Sequence, residues 1–581
     1  MFVGCDDLFE PAIENNLGFE YMYDNSEYAD GLLGNAYTRI PSSSYTFNDV
    51  ATDDAVSNDA NNGYRKMAEG SWMADNNPTD RWGGCRAAIQ YLNLFLANVD
   101  KVNWVKDKVV ATMYNDRVKG EAYALRAMYM YHLLQAHAGY SASGELLGIP
   151  ILTEPEDKNS NFNLPRNTFE ECMQAIYSDI NKALELLPTE FADIEDDNLV
   201  PAKYKAIGAT AAQYTRANGK LFVGRMSGKI AEAIRSHAAL MAASPAFAEG
   251  TTTTWAKAAD YAAIVLNRIN GVAGLDPTGA TWYANVDDIK NMGAGSMPAE
   301  ILWRTEKSSD YNAFESDNYP PSIWGNGRIN PTQNLVDAFP MANGYPITDT
   351  AAGFDASNPY DNRDPRLSAY IVYNGSTVGV NNTVIHTAAD YVATDNSQKD
   401  VLNNTVGVST RTGYYLRKLL RQDVNLDPNA ASKQEHYKSR IRYTEIFLNY
   451  AEAANEAYGP TGKGSQSYSA YDVVKALRSR AGVGKENGDA YLESIKGDKE
   501  KMRQLIHNER RLELCFEGVR FWDLRRWKES ITDTAKGVNI TGNTHTTIDV
   551  DARNFKDYMY YGPIPYSEVL KFNALEQNKG W

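Results

Sequence analysis

Side chains that could do chemistry sit in four places along this chain, and three of them fail on spacing or on partners. Gly459-Pro460-Thr461-Gly462-Lys463-Gly464-Ser465 imitates a loop that cradles phosphate. Ala457, however, stands where its first glycine belongs, and Gly464 where a magnesium-binding hydroxyl belongs. A glycine-rich connection between helices explains the stretch better. His132 and His137 are five residues apart, which on a helix turns the two rings away from a common metal. No GxSxG, HExxH or strand-borne GxGxxG occurs, so neither a metal nor another cofactor is expected.

Carboxylates need more care, because cleaving a glycosidic bond requires only two of them across a cleft. The conspicuous acids, Glu445, Glu452, Glu509, Glu513 and Glu517, lie in helical pattern beside Arg442, Arg510 and Arg520. Pairing with arginine lowers a carboxyl pKa, the opposite of what a general acid needs. Catalysis is not expected.

The fourth place is aromatic. Tyr319-Pro320-Pro321-Ser322-Ile323-Trp324-Gly325-Asn326-Gly327-Arg328 sets Trp324 in a loop held open by prolines and glycines, with Asn326 and Arg328 for polar reach. A flat ring stacks on the apolar C–H face of a sugar, while amides and guanidinium groups bond its hydroxyl rim. Trp282 and Tyr283 follow a Gly/Thr-rich turn and form a second candidate. Trp72 and Trp82 flank the turn signal Asn76-Asn77-Pro78 and form a third. Each has a plainer alternative: Trp324 as a loop anchor, Trp82 as the first packing residue of a helix. Trp303 alternates with apolar neighbours and reads as core. Trp104, Trp255, Trp522, Trp527 and Trp581 read as structural.

The elements that must position these groups are mostly helical. Helical pattern covers about 10–40, 85–138, 167–187, 225–244, 255–269, 440–458, 468–481, 499–517 and 560–573. Thr168 is a natural N-cap and Pro188 a stop. From about 270 to 435 Gly, Pro, Asn, Asp and Thr dominate, with short extended runs such as Glu300 to Arg304. That length is too great for a structureless loop, so an irregular subdomain packed on the helices is expected. Near the end, Leu505, Leu512 and Phe516 share a helical face, and Arg510 and Glu513 are spaced for pairing. Gly518 is placed to end that helix in the left-handed conformation, and Asp523 to cap a short second one. An ion-pair lattice under a helical corner is expected there.

Bulk properties narrow the class. A net charge of −16 argues against nonspecific binding to nucleic acid or to an anionic membrane, both of which need a basic face. Ten Trp and 37 Tyr supply many flat, amphipathic surfaces, which favours binding over a purely structural role. Cys85, Cys172 and Cys515 lie in helical pattern and read as buried free thiols. No run of 18 apolar residues occurs to span a bilayer.

The stretch from Glu509 to Trp527 also resembles the C-terminal signature of the SusD/RagB family of outer-membrane glycan-binding lipoproteins. Gly120 to Ala127 is similar to the family's first repeat helix. Thr168 to Glu171, Ile180 to Leu184 and Leu187-Pro188 resemble the next pair. Tyr360 to Leu367 resembles its NRDPRL turn, and Ile441 to Ile446 with Asn449 to Ala453 a further helix. Pro563-Ile564-Pro565 and Gln577 to Trp581 resemble its ending, where the family more often has Pro-Gly-Tyr.

The resemblance implies a mainly α fold, a tetratricopeptide-like scaffold of about four helix pairs with a large loop-rich subdomain on it. The parts would be 1–270, 271–435 and 436–581, in one compact body. It implies a cell-surface lipoprotein that captures oligo- or polysaccharide and passes it to a SusC-like TonB-dependent transporter. Phe2-Val3-Gly4-Cys5 resembles the tail of a bacterial lipobox whose apolar signal segment is missing, and Asp6-Asp7 an acidic tract for surface display. Acyl chains on Cys5 would then anchor the protein to the outer membrane, facing the exterior. Asn48 to Asp54, including Asp53, with Asn58 and Tyr64, resembles a region near the glycan site of some relatives. A peptide-binding uptake lipoprotein, a protein-only repeat adaptor and a surface glycoside hydrolase stand as alternatives.

Overall fold

The computed structural model describes residues 20–41, 45–293 and 295–581, so Cys5 and the start of the first expected helix lie outside the described residues. Ten helices carry the frame: α1 (Ser26–Thr38), α2 (Trp82–Asn98), α3 (Lys108–His137), α4 (Phe169–Leu186), α5 (Gly228–Ala243), α6 (Trp255–Asn267), α7 (Tyr443–Tyr458), α8 (Ala470–Ala481), α9 (Lys499–Leu514) and α10 (Arg520–Trp527). The fold is mainly α. Each of α2 to α7 packs on the next in chain order, and α8 and α9 close the stack on α7. Thus α6, before the irregular block, lies directly on α7, after it.

Local sequence explains the frame. Thr168 and Glu171 form a capping box that satisfies orphan donors at the start of α4. Behind it Cys172, Met173, Ile176, Ile180 and Ala183 bury one stripe. Gly120 lets α3 approach the end of α4, because a Cβ there would lie 2.6 Å from Leu187 Cγ. Asp107 caps α3 by accepting from the backbone N–H groups of Val109 and Val110. That cap breaks the helix expected over 85–138 into α2 and α3. The short helix Ala211–Asn218, started by a Thr210–Gln213 capping box, has no counterpart in the expected elements. At the end, Pro563 and Pro565 confine the helix expected over 560–573 to Tyr566–Lys571.

Strands among the described residues occur only as antiparallel pairs. β1 (Ala55–Ser57) pairs with β3 (Ile329–Pro331), β2 (Ile301–Arg304) with β4 (Ser439–Arg442), and β5 (Ala535–Thr541) with β6 (Thr544–Asp551). One hydrophobic cluster fills the helical stack. A second underlies the irregular block and draws in Val50, Leu512, Phe516 and Val538 from outside it.

The corner after α9 differs in detail from its expectation. α9 ends at Leu514, and Phe516 (φ 63°) takes the left-handed conformation before Gly518 (φ 78°) does. Asp523 lies inside α10 rather than capping it. Arg510 and Glu513 do not pair with each other: Arg510 Nε donates to Asp523 at 2.7 Å, and Glu513 accepts from Arg366 and Arg480, each at 2.9 Å or less. The expected lattice is real, but tertiary contacts assemble it. Arg366 also holds Asp364 and Glu509, Arg478 holds Asp489 and Glu509, and Arg442 holds Glu300 and Glu517.

Candidate functional site

The Trp324 loop is built to present a ring. Pro320 O accepts from Ile323 N and Gly325 N, closing a tight turn after which Trp324 adopts φ 71°. Gly325 is required there, since a Cβ would fall 2.0 Å from Tyr319 O. Buried polar groups pin the turn from behind. Asp400 Oδ1 accepts from Ser322 N at 2.9 Å. Asn58 Nδ2 lies 2.9 Å from the carbonyls of Asn326, Gly327 and Val408. Burial pushes the Asp400 carboxyl up to about 7, with hydrogen bonds from Ser322 opposing the rise.

On this support Trp324 is 48% exposed. It edges a shallow cavity of about 220 Å³, walled by Ile323, Val378, Val380 and Leu426. Val380 is exposed beside it. Asn381, Asn425 and Asp427 supply the polar rim. Asn381 is exposed and its amide makes no hydrogen bond among the described residues. Tyr319 lies deeper, with its hydroxyl donating to Arg421 O. The arrangement offers an indole face, an aliphatic neighbour and a free amide, which are the groups that grip a pyranose ring.

The other expected site residues fall elsewhere. Asn326 belongs to the loop, but its amide donates inward to Ser316 O at 3.0 Å. Arg328 stitches the loop to Gly407 O at 2.9 Å and to Asn58 Oδ1 at 3.4 Å. Both are supports rather than reach. Trp282 is 2% exposed and packs on Tyr437 and Tyr283, itself 7% exposed, so neither offers a face to a ligand. Trp82 heads α2 and packs edge-on against His137. Trp72 lies in a cluster with Phe521, Phe555 and Trp581, its Nε1 donating to Asn77 Oδ1 at 2.9 Å. Large rings next to turns were needed by the core at all these points.

Asp53 is buried against Arg511 and Arg520. Burial raises its pKa, but the two guanidiniums outweigh it and hold the carboxyl below its usual range. Tyr64 lines a different groove with Arg39, Pro78 and Arg81. Of the early segment only Asn58 reaches the Trp324 loop, carried there by the β1–β3 pairing. Val380 and Asn381 were not anticipated, although Gly379 and Asn382 around them are turn signals in the small hairpin Thr377–Val378/Thr383–Val384.

Stacked helix pairs bearing a loop-rich face with a shallow cleft define a helical-repeat scaffold protein. Residues 299–581 match the model of the SusD family, and residues 22–215 one described as starch-binding associating with outer membrane. The chain belongs to the SusD/RagB family. A SusD-like protein of Formosa agariphila is 25% identical over 354 residues, which span 55% of this chain and 57% of that one. A SusD-like protein from Bacteroides fragilis shares the fold over 98% of this chain and 100% of its own, at TM-score 0.71 and 24% identity. A laminarin-binding SusD-like protein does so over 96% of this chain and 100% of its own, at TM-score 0.58 and 18% identity. No helix among the described residues is long and apolar enough to cross a membrane.

Proposed function

We propose that the protein captures oligo- or polysaccharide on the Trp324 shelf and passes it, unchanged, to a SusC-like TonB-dependent transporter. In this reading it sits on the outer membrane, facing the exterior, held by acyl chains on Cys5. The observation that carries the binding step is the half-exposed Trp324 ring, fixed on a pinned loop beside Val380 and the free amide of Asn381. A pinned ring loses little freedom on binding, so its stacking energy goes largely into affinity. Family membership and the outer-membrane description of the matching family support the transporter and anchor.

Affinity gel electrophoresis against soluble polysaccharides tests the binding step, with Trp324→Ala run beside the natural sequence. Retardation by one glycan, weakened about tenfold or more in the variant, is expected. No retardation by any glycan would overturn the reading in favour of a peptide or protein ligand.

A further inference from the structure

A second cavity, unrelated to the shelf, lies inside the helical stack. It measures about 160 Å³ and is enclosed by α3, α5, α7 and the α9–α10 corner, with β4 along one side. One water needs only ~15 Å³ of such space, so several waters or a small polyatomic ion fit.

Its charges do not balance. The lining holds Arg81, Arg440, Arg510, Arg525 and Arg526 against Glu445 and Asp523. Arg510 and Arg526 are neutralised by Asp523, and Arg526 also by Glu452 behind the wall. Glu445 faces His237, 3.2 Å from its Nε2. Arg81, Arg440 and Arg525 have no carboxylate partner among the described residues.

Arg81 and Arg525 converge on one indole. Their guanidinium carbons lie 4.5 and 5.2 Å from the centre of the Trp522 ring. Arg81 Nη1 reaches Gln135 Oε1 at 2.7 Å and His132 Nδ1 at 2.9 Å, both neutral acceptors. Arg525 is 3% exposed; its Nε donates to Tyr560 O, and its buried Nη1 has no partner. Burying guanidinium groups without anions is costly, and the natural remedy is a planar or tetrahedral oxyanion that takes two N–H groups from each. Neighbouring groups feel the excess. The Arg525 guanidinium is pushed down to about 9 by burial and by Arg81, and the Lys438 amine to about 7 by burial, Arg440 and Arg81. A groove of about 310 Å³ past Tyr64 and Pro78 shares Arg81 and Trp522 with the cavity and gives an approach from outside.

We propose that this cavity is an oxyanion site, taking a sulfate, phosphate or carboxylate group between Arg81 and Arg525. The chemistry is shared by free inorganic ions and by the acidic groups of charged sugars. Thermal unfolding of the whole protein, titrated with sodium sulfate, sodium phosphate and sodium glucuronate against sodium chloride at matched ionic strength, separates these sources. A saturable rise in Tm of about 1 °C or more at tenfold excess over Kd is expected with at least one oxyanion and not with chloride. Sulfate or phosphate alone would identify a free ion, and glucuronate alone an acidic sugar. The rise should vanish in Arg525→Gln and persist in Trp324→Ala, which separates this site from the shelf. Should Arg525→Gln fail to fold, anomalous scattering from selenate soaked into crystals of the natural sequence should peak beside Trp522. No saturable response to any oxyanion, an undiminished response in Arg525→Gln, or selenate only on the outer surface would overturn the proposal.

Discussion

The corner around Glu513 and the shelf around Trp324 are both irregular backbone carrying dense polar sequence, yet they do opposite things with it. At the corner, Glu513 and Glu509 are buried and Glu517 nearly so, and each meets arginine on more than one side or arginine with lysine. These three carboxylates are matched internally by Arg366, Arg442, Arg478, Arg480 and Lys418. At the shelf few charges appear, but buried Asp400 and Asn58 immobilise a turn whose one large ring is left in solvent. Motif density therefore marks where the fold is most constrained, and a functional surface is marked by what the supports leave uncovered.

The sharpest way to break this contrast is Glu513→Ala, which takes a shared buried carboxylate away from Arg366 and Arg480. A stability loss of about 3–5 kcal/mol is expected in urea unfolding, with glycan retardation kept by the protein that stays folded. Acid should act on the same corner. Burial raises the Glu513 and Glu452 carboxyls, but surrounding arginines outweigh it and hold both at about 2. The unfolded chain titrates near ~4.3, so their contribution is complete above that pH and is lost as pH falls toward 2. Tm measured from pH 5 downward should fall steeply.

Trp324→Ala should do the reverse of Glu513→Ala. Glycan affinity is expected to drop about tenfold, roughly 1.4 kcal/mol. Stability, read by the same urea unfolding, should move by no more than about 0.5 kcal/mol, as for a surface substitution. A larger stability loss would make Trp324 an anchor after all. The subtlest test concerns Asp400, whose folded pKa is raised to about 7 by burial. The folded state then favours the protonated form, so stability is complete below ~3.9 and declines as pH rises through 7. Asp400→Asn should remove about 1 kcal/mol of that decline between pH 6 and 8, measured as urea midpoints across the range.

Much of the frame was legible because helical periodicity, caps and stops are local. Thr168 and Glu171 announce α4, and the apolar stripes of α5 and α7 repeat at short spacing. The ion-pair lattice was legible in kind, since so many charges beside apolar groups must be paired if buried. Its pairings were not, because Glu513 meets Arg366 across 147 residues of chain. The candidate site was half legible: Trp324 stood out by its prolines and glycines, and Asn58 through its segment's resemblance to a region near the glycan site of some relatives. Trp72, Trp82 and Trp282 sit beside turns just as Trp324 does, yet the structure buries them.

What the sequence alone determined was which stretches are helical, that the charges of the C-terminal corner would be paired, and which family the chain resembles. These depend on neighbours within a few residues or on extended runs of matching residues. What only the tertiary structure decided was which tryptophan keeps an open face and which arginines lack an acid. Burial is a property of the whole packing, in which elements hundreds of residues apart either cover a side chain or leave it bare.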